Sequence, residues 1–351
     1  MSTTVNVYRN TDASASSLKG TVGTLTTILD ACLVNGYGSQ TAAGWTIAYS
    51  GTNKRVYRNS TTDGTGFYIY VDDSGSGSGG AKEALMTGFQ SATGVGTGTG
   101  QFPTFAQSSN GIGAVVCRKS NTADSTVRSW TLIADDTVFY LFCENDDYTN
   151  PITPSMFIFG DFFSNAITDP YRCIIVGRSV ENNSNYTYAW ESITNGWFSS
   201  TYYQVLTATL SGHFIASNFT GVGGSILCGK HIDTLKLGIT GVSSEYGTTS
   251  SSVQNWSEYA TIGMNYEQQN AMNTPNQPDV AIYMSSIRIH HNGMIRGYFK
   301  GLWAPCQNLP MTHNDTWTGT GPMTGKSFLA QFLTGSSGPG EIFIETSSTW
   351  S

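Results

Sequence analysis

Paired aspartates, scattered histidines and cysteines, and two glycine-rich loops are the features of this chain that invite a chemical reading. The aspartate pairs are Asp72-Asp73, Asp135-Asp136 and Asp146-Asp147. Two carboxylates cleave a glycosidic bond only when they face each other across a cleft about 5–10 Å wide. Neighbours in sequence point to opposite faces of a strand or share a turn, so turn and loop chemistry is the expectation for all three. The histidines are His213, His231, His290, His291 and His313, and none forms HExxH or HxH. His290 and His291 are adjacent, so in a strand they cannot grip one metal together.

The cysteines, Cys32, Cys117, Cys143, Cys173, Cys228 and Cys306, stand singly, with no CxxC. Each lies in a hydrophobic stretch such as AVVC, FYLFC or RCII, which predicts six reduced, buried thiols. GTGPMTGKS (319–327) comes nearest to a phosphate loop, but the glycine required at position 320 is a threonine and Pro322 interrupts it. GSGSGG (75–80) follows a strand but opens no convincing helix, so a mobile loop is expected there. There is no GxSxG. No catalytic, cofactor-binding or metal-ligating residue is assigned from the sequence.

The elements that would carry such residues are mostly strands. One helix is expected over 17–34, where Leu18, Val22, Leu25, Ile28, Leu29 and Cys32 recur at spacings of three and four and Asn35-Gly36 ends the run. TIAYSGTNKRVYRN reads as two strands around a turn, and GFYIYVDD as a strand with Tyr68 and Tyr70 on one face. The low-complexity stretch ATGVGTGTGQFPT (92–104) reads as a boundary or long surface loop. VRSWTLIADDTVFYLFCEN predicts a hairpin around Asp135-Asp136. SMFIFGDFFS and RCIIVGRSV are apolar runs suited to buried strands. Residues 241–279 read as a polar excursion. IYMSSIRIHH-NG-MIRGYFKGLW predicts a hairpin turning at Asn292-Gly293, and EIFIET a last strand.

The expectation is therefore an all-β fold, a β-sandwich or barrel-like body, with one N-terminal helix and long polar loops. Its organisation reads as an N-terminal region over 1–100 and a larger β domain over 101–351.

Composition agrees. Glycine accounts for 40 of 351 residues, and charged residues for 12%, about half the usual share. Helical bundles and coiled coils need more Ala, Glu, Lys and Leu than this. With 39% hydrophobic and 12% aromatic residues, wholesale disorder is excluded. A net charge of −7 and a pI near 5.1 argue against direct nucleic-acid binding. No stretch approaches 18 apolar residues, and no signal peptide is visible. The eight tryptophans read as core or interface anchors, with a sugar-binding platform as the less favoured use.

Several segments, in order along the chain, resemble a family of tailed-bacteriophage virion structural proteins. They are DACLVNGYGSQTAAGWTIAYSGTNKRVYR (30–58), GFYIYVDDSG (66–75), FGDFFS (159–164), FTGVGGSILCGKH (219–231) and MIRGYFKGLWAPC (294–306). The resemblance implies a non-enzymatic component of a phage particle, in the neck or collar, on the capsid surface or in the tail. Its partners would be copies of itself and other virion proteins, with no direct nucleic acid, no membrane span and no cofactor. The alternative is a receptor- or glycan-binding tail or baseplate adhesin, gripping host surface glycan through exposed aromatics. A particle-associated hydrolase ranks third, since it needs carboxylates or a metal converging in a cleft.

Overall fold

The structure, a computed structural model, describes residues 4–108, 111–144, 154–178, 213–217, 270–273, 281–291, 294–305, 312–335 and 338–350. The described residues are mostly strand. The first elements are β1 (Asn6–Arg9), β2 (Leu18–Lys19), the helix α1 (Thr24–Leu29), β3 (Thr46–Gly51), β4 (Lys54–Arg58), β5 (Tyr68–Asp72), β6 (Glu83–Gly94), β7 (Thr97–Phe102) and β8 (Val115–Arg118). The middle holds β9 (Val127–Arg128), β10 (Trp130–Ala134), β11 (Val138–Glu144), β12 (Pro154–Asp161), β13 (Phe163–Ser164), β14 (Cys173–Val176) and β15 (His213–Ile215). Last come β16 (Asn270–Asn273), β17 (Ala281–His291), β18 (Met294–Pro305), β19 (Thr316–Thr318), β20 (Ser327–Gly335) and β21 (Gly338–Glu345).

These strands form three packed layers. The central sheet has the order β1-β10-β11-β12-β14-β15, antiparallel throughout. A front sheet runs β3-β4-β5-β6-β7, with β8 also on β6, and a back sheet runs β16-β17-β18-β21-β20-β19, with β13 also on β18. Alternation along each central strand feeds two separate cores. Leu132, Phe139, Leu141, Phe157, Phe159 and Ile175 face the front sheet and α1, packing with Tyr57, Ile69, Met86 and Phe102. Ile133, Tyr140, Phe142, Ile158 and Ile174 face the back sheet, packing with Ile289, Leu302, Leu329 and Ile344. A sheet covered on both faces has no polar side, which is why FYLFC and CIIV are continuous apolar runs. The front core takes residues from both sides of residue 100, because Tyr8 and Leu25 share it with Phe139 and Phe159.

The all-β fold, with a single short α-helix among the described residues, is as the sequence suggests, but three local features differ or extend it. The helix begins at Thr24, seven residues later than expected, and continues as π-helical turns over Asp30–Asn35. Leu18 is buried in a two-residue strand pairing with β9, and Gly23, at φ 80°, breaks any helix running through it. The segment 92–104 is no loop: β6 and β7 form a hairpin through Val95-Gly96, and Phe102 is fully buried against Gly88. Thr97 and Thr99 on β7 are exposed and Gly98 and Gly100 carry no side chain, so the strand has no apolar alternation to read. The glycine-rich turn after β5 is tied to Asp72, which accepts from Ser74 N (3.1 Å), Ser74 Oγ (2.5 Å) and Ser76 Oγ (2.9 Å).

The β17–β18 register, His291 opposite Met294, agrees with the expected hairpin, although the turn residues Asn292 and Gly293 lie outside the described residues. So does the excursion 241–279, apart from β16. Among the described residues no helix is long and apolar enough to cross a membrane.

Candidate functional site

The chemistry-bearing side chains concentrate where the three layers meet, at the β10–β11 turn. Asp135 shapes that turn: its Oδ1 accepts from Thr137 N (2.7 Å), Thr137 Oγ1 (2.7 Å) and Val138 N (2.8 Å). Its carbonyl accepts from the Trp45 indole at 2.8 Å, which ties the turn to the front core. From the back sheet, Lys300 on β18 donates to Thr137 Oγ1 and stands 3.8 Å from Asp135 Oδ2.

Asp161, at the end of β12, completes the junction and is fully buried. Its Oδ2 accepts from Thr65 N (2.7 Å), and its Oδ1 from Thr65 Oγ1 (2.7 Å) and Asn59 Nδ2 (3.0 Å). Arg172 Nε lies 3.6 Å from Oδ2. Burial pushes the Asp161 carboxyl up to about 6, while Lys300's charge, the Thr65 hydrogen bonds and Arg172 pull it back. Asn59 also donates to Thr137 O at 3.1 Å, joining the β4–β5 loop to the central turn. The backbone at Gly160, next to Asp161, has φ 137°, and a Cβ there would sit 2.2 Å from Thr137 O. A side chain at 160 would therefore push β12 off the turn.

Two further buried ion pairs flank this junction. Arg296 on β18 grips Asp169 with Nε to Oδ2 at 2.9 Å and Nη2 to Oδ1 at 2.8 Å, and donates to Ser217 O as well. Burial acts to raise the Asp169 carboxyl, but the Arg296 hydrogen bonds and charge outweigh it and hold the group below its ordinary range. On the front side, Lys119 donates to Asp73 Oδ1 and to Thr21 O (2.8 Å). Asp73 Oδ2 accepts from Leu25 N (2.8 Å) and Thr26 N (3.4 Å), so it caps α1 from 48 residues away. Burial raises the Asp73 carboxyl despite the Lys119 charge.

The residues singled out in the sequence separate into distinct settings. Asp72 and Asp73 part company: Asp72 meets Lys54 at 2.8 Å near the surface, and Asp73 is interior. Asp146 and Asp147 lie outside the described residues. Cys32, Cys117, Cys143 and Cys173 are buried free thiols, and Cys228 and Cys306 are not described. His313 Nε2 lies 3.1 Å from Glu144 Oε1, a contact that holds the Glu144 carboxyl below its usual range. His290 and His291 occupy successive register positions at the end of β17, His213 begins β15, and His231 is not described. Among the described residues no cluster of three or more His, Cys, Asp or Glu is placed to hold a metal.

In the segment 319–327, Lys326 pairs with Glu345 at 3.0 Å and lies over the Trp303 ring, so the lysine is engaged in a structural contact. Trp45, Trp130, Trp303, Trp317 and Trp350 are all buried, while Trp190, Trp197 and Trp256 lie outside the described residues.

Asp161, Asp169, Arg296 and Lys300 were not singled out as individual residues in the sequence. A signal did exist: a lone Asp inside FIFGDFF, and Arg and Lys inside MIRGYFKGLW, are charges within apolar strand text, and such charges need buried partners.

The fold and this junction define a three-layered β protein whose interior charges are used to fasten sheet to sheet. No protein-family model matches the chain, and a search of curated proteins finds no match.

Proposed function

We propose that the chain is a non-enzymatic structural component of a tailed-phage particle, working through contacts with copies of itself and with other virion proteins. The observation that carries this reading is where the resembling segments fall. FGDFFS and MIRGYFKGLWAPC, about 130 residues apart, meet as β13 on β18, with Phe163 opposite Tyr298 and Ser164 opposite Gly297. They contain Asp161, Arg296 and Lys300, the charges that fasten the layers. Segments 30–58 and 66–75 meet as β4 on β5. What the segments share is thus framework, as expected when the function of a chain is its shape and mechanical integrity.

Exposed apolar side chains at loop and edge positions, Phe105, Val127 and Ile167, suit contact with neighbouring subunits. Burial of all five described tryptophans weighs against the adhesin reading, which needs rings open to a sugar. The test is a search for the chain in purified particles from an infection that expresses it. A fixed number of copies per particle is the expected result. Particles that contain none of it overturn the proposal.

A further inference from the structure

We infer that Lys300 and Asp135 are arranged to join through their side chains, forming an amide that covalently stitches the back sheet to the central sheet. This inference stands on the junction geometry and does not depend on the virion reading.

The two ends of the Asp135 carboxylate sit in different surroundings. Oδ1 receives three donors at 2.7–2.8 Å, from Thr137 N, Thr137 Oγ1 and Val138 N. Oδ2 faces the Lys300 amine at 3.8 Å. Three donors converging on one oxygen form the cradle that stabilises an oxyanion when a nucleophile attacks the carbon that bears it. The nucleophile stands on the side of the other oxygen, the one that must leave. Thr137 Oγ1 touches both partners, accepting from Lys300 Nζ and donating to Asp135 Oδ1. The Phe163 ring lies 5.4 Å from Nζ, and both side chains are nearly sealed from solvent, with 11% of Lys300 and 5% of Asp135 exposed.

The first step is the transfer of one proton from Lys300 Nζ to the Asp135 carboxyl, because the nitrogen lone pair must be free to attack. The amine then attacks the carboxyl carbon. The C–N bond forms, Oδ1 carries the negative charge within its cradle, and the C–Oδ2 bond breaks. Oδ2 departs as water, taking two of the three protons of the original ammonium; the third stays on the amide nitrogen. One carboxylate and one ammonium become one amide and one water, so no oxidant, cofactor or activating nucleotide is needed. Fixed proximity in place of random encounter supplies the driving advantage. The linked residues are 165 apart in sequence, and the bond closes across the layer boundary that Tyr140 also bridges through its hydroxyl to Lys300 O at 2.7 Å.

The test is the intact mass of the full-length chain, purified alone and denatured. The expected mass is lower than that of the sequence by one water. A protease digest should then contain a branched peptide joining the Asp135 segment to the Lys300 segment. Lys300→Met should show its own unaltered sequence mass. A wild-type mass equal to that of the sequence overturns the inference. So does a missing water that maps elsewhere, for instance to a succinimide at Asp135 with Lys300 found in an ordinary linear peptide.

Discussion

Asp169 and Arg296, 127 residues apart in the chain, meet as a two-pronged ion pair in which neither side chain reaches solvent. The pair holds the segment after β13 against β18, and the guanidinium also lies over the Phe162 ring, 5.7 Å from its centre. A planar fork is needed to reach both carboxylate oxygens while also donating to Ser217 O, and lysine has none.

Arg296→Met should therefore strand the Asp169 carboxylate in the interior. The expected cost is about 3–5 kcal/mol, read as a lower denaturation midpoint in urea. Arg296→Lys should also destabilise, because it restores the charge without the second prong. A lysine variant as stable as wild type would show that charge alone suffices.

Asp73 has two tasks, pairing with Lys119 and capping α1. Asp73→Ala should lose both and leave a buried ammonium, at a cost of about 3–5 kcal/mol. Lys119→Met alone should leave a buried carboxylate and cost a similar amount. The double variant should lose clearly less than the two singles combined, retaining mainly the cap loss of about 1 kcal/mol. Additive losses in this double-mutant cycle would mean the two groups do not depend on each other.

Asp161 gives stability a definite pH dependence. Its folded-state pKa, about 6, lies above the ordinary 3.8, so folding favours the protonated carboxyl. Above pH 6 the buried charge costs about 3 kcal/mol by linkage, and this cost fades as the pH falls from 6 towards 4. The stability of wild type relative to Asp161→Asn should therefore rise between about pH 7.5 and about pH 5. The Thr65 amide, which donates to Asp161 at 2.7 Å, should titrate by NMR with a midpoint near 6. A midpoint near 4 would show that burial does not dominate at this carboxyl.

Gly160→Ala should disrupt the junction itself. The added methyl would meet Thr137 O at 2.2 Å and the Val138 Cα at 2.4 Å, both backbone atoms that cannot turn aside. Strain at positive φ adds to the clash, and a loss on the order of 3 kcal/mol or more is expected in thermal or urea unfolding. An unchanged midpoint would mean that β12 can move away from the turn freely.

Cys32, Cys117, Cys143 and Cys173 should resist alkylation in the folded chain near neutral pH and react fully in denaturant, as mapped by peptide mass. Burial pushes the Cys32 and Cys173 thiols up, and a hydrogen bond with Cys117 together with burial does the same for Cys143. Rapid labelling of any of the four under native conditions would expose a local opening of the front core.

Much of this architecture was legible locally. The central strands announced themselves as unbroken apolar runs because both of their faces are covered, and the Asp135-Asp136 turn was readable from the residues that close it. The β6–β7 hairpin was not, since β7 is built largely from exposed Thr and from Gly and depends on β6 for its pairing. The helix start was misplaced because apolar spacing continues back to Leu18, while the group that caps the true start, Asp73, lies far along the chain. The junction was hidden for the same reason. The contacts that tie the layers together there, Asn59 to Thr137 and Asp161, and Lys300 to Thr137 and Asp135, join residues 78 to 165 apart, and no local window holds both members of such a pair. What a window does show is each charge standing alone in apolar text, a sign that a partner exists without saying where.

The pairing of β1 with β10 constrains how the molecule can be made. Asn6 lies opposite Ala134, so β1 has no strand partner until well over a hundred further residues have followed it from the ribosome. The central sheet then stays bare on its second face until β17 to β21 are synthesised, at the far end of the chain. Such distant pairings make for slow maturation and a prolonged interval in which sticky surface is open to other nascent chains. Yield should accordingly improve when translation is slowed or the growth temperature lowered, because each chain then has time to find its own late strands before it meets another's.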